Sequence, residues 1–443
     1  MVHGMDLQNF RTFRVAASDL NGQMRGKRVS SAYANKLTDG AVRMPLSVLN
    51  VDLWGADIED SPLVFESGDA DGMLLPTERG AVPMPWLKTA SALVPMSMFI
   101  EPGEPFMGDP RHALKSTLAR YQARGWRVVA ATEMEFTLVD DSGDQPQPPL
   151  NPSSGRRLAS TAILSLRQLD SFDAFFTELY DACAVMEIPT NSTISEGGLG
   201  QFEVTLDHQD ALRAADDAWL FKALVRGLAR NHGYAATFMA KPYAEDAGNG
   251  MHVHFSVLDE SGANVFDNGG PEGTDVLHHA IAGCLRDMPA STLIFAPHGN
   301  SYDRLVPGAH APVGAAWGYD NRTVAVRVPG GAPVARRIEH RVAGGDNNPY
   351  LTLAILLGSA LNGIEDALSP PAPVTGNAYE LTNLDGLAPN WAGAIDIFES
   401  DAGVARSLPK PLIRNLVMTK RQELARFAEE PAETHWLRYL ESV

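Results

Sequence analysis

Glu133 and Glu135 stand one residue apart in Glu133-Met134-Glu135-Phe136, just after the apolar, strand-favouring run from Trp126 to Ala131. Alternate side chains of an extended strand share a face, so the two carboxylates point one way and Met134 and Phe136 the other. Glutamate is depleted in strands, and neighbouring anions repel unless a cation joins them. The segment is therefore either a solvated strand edge or part of a metal site. The second reading constrains the fold severely, because one strand cannot enclose an ion and the other ligands must come from distant parts of the chain.

Three further segments carry suitable groups. Met251-His252-Val253-His254 repeats the alternation with two imidazoles, which on their own read as ligands or as satisfied polar residues. Glu196 and Glu203 bracket Gly197, Gly198 and Gly200, a turn that can return both carboxylates to one locus. Arg336-Arg337-Ile338-Glu339-His340-Arg341 adds a carboxylate within a set of arginines that also includes Arg304, Arg322 and Arg327. Oxygen ligands with one or two imidazoles and no thiolate favour Mg²⁺ or Mn²⁺ over zinc. Guanidinium forks suit carboxylate and phosphate oxygens, the alternative being a solvated face paired with nearby acids. Carboxylate-held metals combined with an arginine clamp imply nucleotide-dependent phosphoryl transfer, where catalysis is mostly positioning and charge neutralisation. No Walker-type glycine loop is present, which excludes a P-loop fold.

At 443 residues the chain can bury a large core and suggests two or more structural units, or one large domain with an appendage. A formal net charge of -18 argues against nucleic-acid or anionic-membrane binding, which need a basic surface. Cys183 and Cys284 lack metal-like spacing and read as reduced core thiols. No signal-like N-terminus and no apolar run of about 20 residues is present, so a cytoplasmic protein is expected. Phe10 to Ala16, followed by the turn Asp19-Leu20-Asn21-Gly22, opens a β-rich first unit. The prolines between Pro83 and Pro110 disfavour helix and mark its end, and Asp109-Pro110 is a cap and first-turn pair for a helix to about Arg124. Residues 140 to 157 read as a surface loop. Helices are expected at 171–186, 210–232 and near 349–368, and strands at 235–239 and 251–258.

Taken in order, these segments resemble the glutamine synthetase family. The likeness extends through Lys241-Pro242, Gly248 to His254, Asn300-Ser301-Tyr302-Asp303-Arg304, Asn321-Arg322 and Asn347-Asn348-Pro349-Tyr350. It implies an α+β fold: a β-grasp domain over residues 1–107, then over 108–443 a catalytic domain built on a large curved antiparallel sheet flanked by helices. It also implies a homo-oligomer, usually a dodecamer of two stacked hexameric rings, with active sites between neighbouring subunits. Carried over by motif, Glu135, Glu196 and Glu203 match ligands of a first metal, and Glu133, His252 and Glu339 those of a second. His254, Ser256, Arg327 and Arg337 match nucleotide contacts. Arg304, Arg341 and Gly248 match contacts to glutamate, and Arg322 matches the group that stabilises phosphoryl transfer. The cofactors implied are ATP and Mg²⁺ or Mn²⁺.

The departures concern the amine side. Ammonia-using members carry a Phe-Asp-Gly-Ser-Ser-type segment where this chain has Pro45 to Gly55, and a glutamate before Ala-Pro where it has His310. A small cation needs close negative charge, so the pattern instead resembles the γ-glutamylputrescine synthetase-like branch of the family. It points to L-glutamate joined to putrescine or another alkylamine. Ammonia as substrate, and a non-catalytic ring-forming relative, are the alternatives. Trp54 reads either as a wall for the alkylamine, with Asp52 or Asp57 meeting a distal ammonium, or as core. His310 reads as a general base or as a lid.

Overall fold

The computed structural model describes residues 9–443 apart from positions 38, 307, 309 and 310, so the expectation for His310 lies outside the described residues. Seven strands form the first sheet: β1 (Thr12–Ser18), β2 (Met24–Ser30), β3 (Val42–Pro45), β4 (Asp71–Pro76), β5 (Val82–Pro83), β6 (Ser91–Glu101) and β7 (Glu104–Pro105). The main path runs β2-β1-β6-β4-β3, with β1 and β6 as parallel central neighbours, the β-grasp arrangement. The proline-rich stretch is part of the sheet. It contains β6, the central strand, and Pro95 sits opposite Ala16 in the ladder. One side of this sheet closes over a core that includes Phe13, Val15, Leu74 and Met98. Ala16, Leu20 and Leu93 join the larger core of the remaining chain.

Helix α1 (Pro110–Gln122) begins as the sequence implies, with the Asp109 side chain accepting from the Arg111 backbone N–H and proline in the first turn. An eight-stranded sheet follows. Its strands are β8 (Arg127–Val139), β9 (Thr190–Ser195), β10 (Gln201–Asp210), β11 (Ala235–Thr237), β12 (Met251–Leu258), β13 (Trp317–Tyr319), β14 (Val326–Val328) and β15 (Ile338–His340). The order is β13-β14-β15-β12-β8-β10-β9, with β11 also paired to β8, and only β13 and β14 run parallel. Met134 and Phe136 are fully buried on the helix-covered face, as the alternation of β8 requires.

The helices are α2 (Leu166–Ser171), α3 (Asp173–Val185), α4 (Ala211–Asn231), α5 (Asp275–Phe295), the single turn α6 (Ser301–Arg304), α7 (Pro349–Glu365), α8 (Trp391–Ser400), α9 (Ala402–Ser407), α10 (Lys410–Glu429) and α11 (His435–Ser442). The long helices α5 and α10 were not foreseen from the sequence. No helix of the described residues is long and apolar enough to cross a membrane. Cys183 and Cys284 are free and buried, and burial pushes the Cys183 thiol up to about 12.

Candidate active site

Strand register gathers the acidic and imidazole groups. Antiparallel pairing sets His252 opposite Glu133, Glu203 opposite Glu135, and His254 opposite Glu339. Directly opposed residues have Cβ atoms about 5 Å apart, so three registers are enough to bring six of these side chains to one face. Glu196 arrives by the hairpin between β9 and β10, where its backbone N–H donates to Gln201 O at 3.0 Å. The turn needs glycine at 200, where φ is +76° and a Cβ would lie 2.6 Å from Leu138 O.

The outcome is three overlapping groups: Glu135, Glu196 and Glu203; Glu133, Glu203 and His252; and Glu133, His254 and Glu339. Ligand atoms within each lie within 4.8 Å of one another. Glu339 groups with His254 rather than with His252, so the second expected ligand set is divided between two overlapping groups. Glu133 is bonded through both oxygens, to His252 Nδ1 at 2.7 Å and His254 Nε2 at 3.0 Å. Arg337 Nε donates to His254 Nδ1 at 3.1 Å, which assigns the ring proton to Nε2 and makes that nitrogen a donor to Glu133. Glu135 Oε2 accepts from the Gly250 N–H at 2.6 Å and from Gln201 Nε2 at 3.2 Å.

The electrostatics differ across the site. Burial, then the neighbouring carboxylates, push Glu203 up to about 9 and Glu196 up to about 7. Glu133 is held well below the usual carboxylate range: burial would raise it, and the hydrogen bonds from His252 and His254 overcome that. Glu339 is likewise lowered against its burial, by the charges of His252 and Arg341. Carboxylates crowded so closely that two retain protons near neutral pH suit a divalent cation, which supplies the missing positive charge. The donor set of carboxylate oxygens and imidazole nitrogens without thiolate fits a hard or borderline ion.

Around this face, Arg327 donates to Glu339 Oε2 at 2.8 Å and Arg341 to Glu339 Oε1. Arg304 is buried, with Nη1 on Val342 O at 2.8 Å. Its stem passes Gly248, where a Cβ would stand 2.2 Å from Ala240 O. Arg322 is exposed on the loop after β13, and its charge acts on the Glu196 carboxyl. Ser256 donates to Arg336 O at 2.9 Å. Glu133, His254, Ser256 and Arg337 all line one cavity of about 710 Å³, a volume that suits a nucleotide-sized ligand.

Trp54 is placed elsewhere. Its indole Nε1 donates to Glu430 at 3.0 Å, its ring meets Phe427 at 4.6 Å, and the Arg426 guanidinium lies 4.2 Å from the ring centroid. Asp52 is fully buried, accepting from Arg426, Gln422 and the backbone of Trp54 and Ala56. Within the chain both residues therefore seat the β-grasp unit on α10, and none of these contacts reaches the carboxylate groups. Sequence reasoning missed Gln201, which orients Glu135, Gly248 O and Asn249 together. It also missed His208, which lines the large cavity. Nothing in the local pattern separates either residue from an ordinary polar hairpin residue.

A β-grasp unit joined to a curved sheet, with clustered carboxylates beside a nucleotide-sized cavity, defines a ligase that uses ATP and a divalent metal. The chain belongs to the glutamine synthetase family, since the model for glutamine synthetase, catalytic domain, matches residues 107–439. It is 37% identical over 381 residues to gamma-glutamylputrescine synthetase PuuA of Escherichia coli (strain K12), covering 84% of this chain and 79% of that protein. It is 36% identical over 394 residues to the glutamate--isopropylamine ligase of Pseudomonas sp, covering 85% and 83%. Among solved structures, the GmaS/ADP complex superposes with a TM-score of 0.83 at 27% identity, covering 98% of this chain and 97% of that one.

Proposed function

We propose that this chain joins the γ-carboxylate of L-glutamate to a primary amine, putrescine or another alkylamine, at the expense of ATP and through γ-glutamyl phosphate. The observation that carries the reading is the convergence of five carboxylates and two histidines into overlapping groups that share Glu133 and Glu203. The named relatives act on glutamate with putrescine and with isopropylamine, which supports an alkylamine over ammonia.

A γ-carboxylate oxygen attacks the γ-phosphorus and ADP leaves. The amine nitrogen then attacks the acyl carbon, expelling inorganic phosphate and releasing a proton. Mg²⁺ or Mn²⁺ held by Glu135, Glu196 and Glu203, and by Glu133, His252 and Glu339, would neutralise phosphate oxygens and ease the meeting of two anions. Arg304, Arg341 and the close-approach backbone at Gly248 hold glutamate. His254, Ser256, Arg327 and Arg337 hold the nucleotide, with His208 on the cavity wall. Arg322, exposed and electrostatically coupled to Glu196, is the group that meets the transferring phosphoryl.

The same reading puts the domain boundary at 107/108, the protein in the cytoplasm, and the chain in stacked rings that place sites between subunits. The end-strand position of β9, beside the Glu196 turn, supports a neighbour completing the site. Phosphate release measured over a panel of amines tests the function. Release should require both glutamate and an amine, and should be faster with putrescine than with equal ammonium. The reverse order would favour an ammonia-using enzyme, and no release with any amine would favour a non-catalytic scaffold.

A further inference from the structure

Behind Arg304 lies a carboxylate that the reaction as described does not use. Asp346 is 1% exposed and sits between β15 and α7. Its Oδ2 accepts from the hydroxyl of Ser301, the first residue of the turn α6 that ends in Arg304. Its Oδ1 is buried and has no hydrogen-bond partner among the described residues. The Ser301 hydroxyl also accepts from the His298 N–H at 3.0 Å, so one side chain ties the start of this turn to both the incoming loop and Asp346. The Asp346 loop is anchored in its own right. Buried Lys222 of α4 donates to Asn347 O at 3.0 Å, and Asn348 caps α7 while donating to Asp19 O at 2.8 Å.

Arg304, by contrast, has little to grip its far end. It is 5% exposed, and among the described residues its guanidinium makes one hydrogen bond, to Val342 O. The rest of it runs between two glycines: a Cβ at 248 would lie 3.0 Å from its Cγ, and one at 250 would lie 2.7 Å from Nη2. Its charge interacts with Glu135 and with Asp346, whose carboxylate also faces the charge of Lys222. A guanidinium that closed onto Glu135 would be lost to a substrate carboxylate, and a metal ligand would be lost with it.

We propose that Asp346 is a positioning residue for glutamate binding: through Ser301 it fixes the turn that carries Arg304, keeping the guanidinium available to the substrate carboxylate. The inference rests on the reading that Arg304 contacts glutamate.

Steady-state kinetics of the full chain test it. Ser301→Ala should raise KM for glutamate about 5-fold and Asp346→Ala about 20-fold, with KM for ATP and kcat changed less than about 3-fold, the pattern of lost substrate binding alone. Asp346→Asn, which keeps an acceptor for Ser301, should fall between the wild type and Asp346→Ala. The double variant should be no worse than Asp346→Ala, because the two groups act as one unit. Unchanged KM for glutamate in Ser301→Ala, or equal losses toward glutamate and ATP, or additive effects, would overturn the proposal. If Asp346→Ala fails to fold, the Ser301→Ala result decides. Arg304→Lys is measured alongside. An unchanged KM for glutamate there would remove the underlying assignment, whereas a raised KM there with none in Ser301→Ala would remove only the role of Asp346.

Discussion

The two halves of the carboxylate face solve the same electrostatic problem differently. Around Glu133 and Glu339, histidines and arginines are hydrogen-bonded to the acids and hold them ionised. Around Glu196 and Glu203 the dominant neighbours are other carboxylates, and burial drives protons on. The first half is ready before any ion arrives, whereas the second is complete only with one.

Replacing Glu203, which two of the three overlapping groups share, should have the largest effect. Glu203→Ala is expected to reduce turnover by at least about 10³-fold at saturating metal, since loss of a ligand removes the charge neutralisation on which phosphoryl transfer depends. Turnover within about tenfold of wild type would break the comparison. Arg322→Ala comes next, with kcat down about 10²-fold or more and KM for glutamate near normal. An equal rise in KM would move Arg322 from the transition state to ground-state binding.

The third prediction uses pH. Carboxyls raised in the folded state bind more protons there than in the unfolded chain, so stability falls as pH rises through their folded values. Without metal, the melting temperature should therefore drop as pH rises through about 7 and on to about 9, the values of Glu196 and Glu203. Added Mn²⁺ should restore more at pH 9 than at pH 6, because fewer protons compete for the ligands. Glu133 and Glu339, being lowered, contribute no change in that window. Equal metal stabilisation at both pH values would refute the asymmetry. The smallest effect belongs to the seat of the β-grasp unit: Trp54→Ala should cost about 2–4 kcal/mol of stability with little change in KM for glutamate, checked by denaturant unfolding and kinetics.

How far the sequence reaches also differs between regions. The period-two alternation made β12 legible over its whole length and β8 from its start to Phe136, three residues short of its end, and with them the metal-facing side of each. Register was not legible, because the pairing of Glu133 with His252 is fixed by contacts 119 positions apart. The hairpin of Glu196 and Glu203 was anticipated through its glycines, but Gln201 carries no local mark. Helix α5 was hidden by Pro289 within it. In α10 the inward positions include the buried pair Lys420 and Glu423, which interrupts the apolar period a helix is read from. Trp54 could not be placed because its partner helix lies more than 370 positions away.

Counting bound Mn²⁺ by electron paramagnetic resonance, in wild type and in Glu135→Ala and Glu133→Ala, bears most directly on the whole account. Two ions per chain are predicted for wild type, one of them lost in Glu135→Ala and the other in Glu133→Ala. No specific binding by the wild type, or the same count in all three proteins, would contradict it.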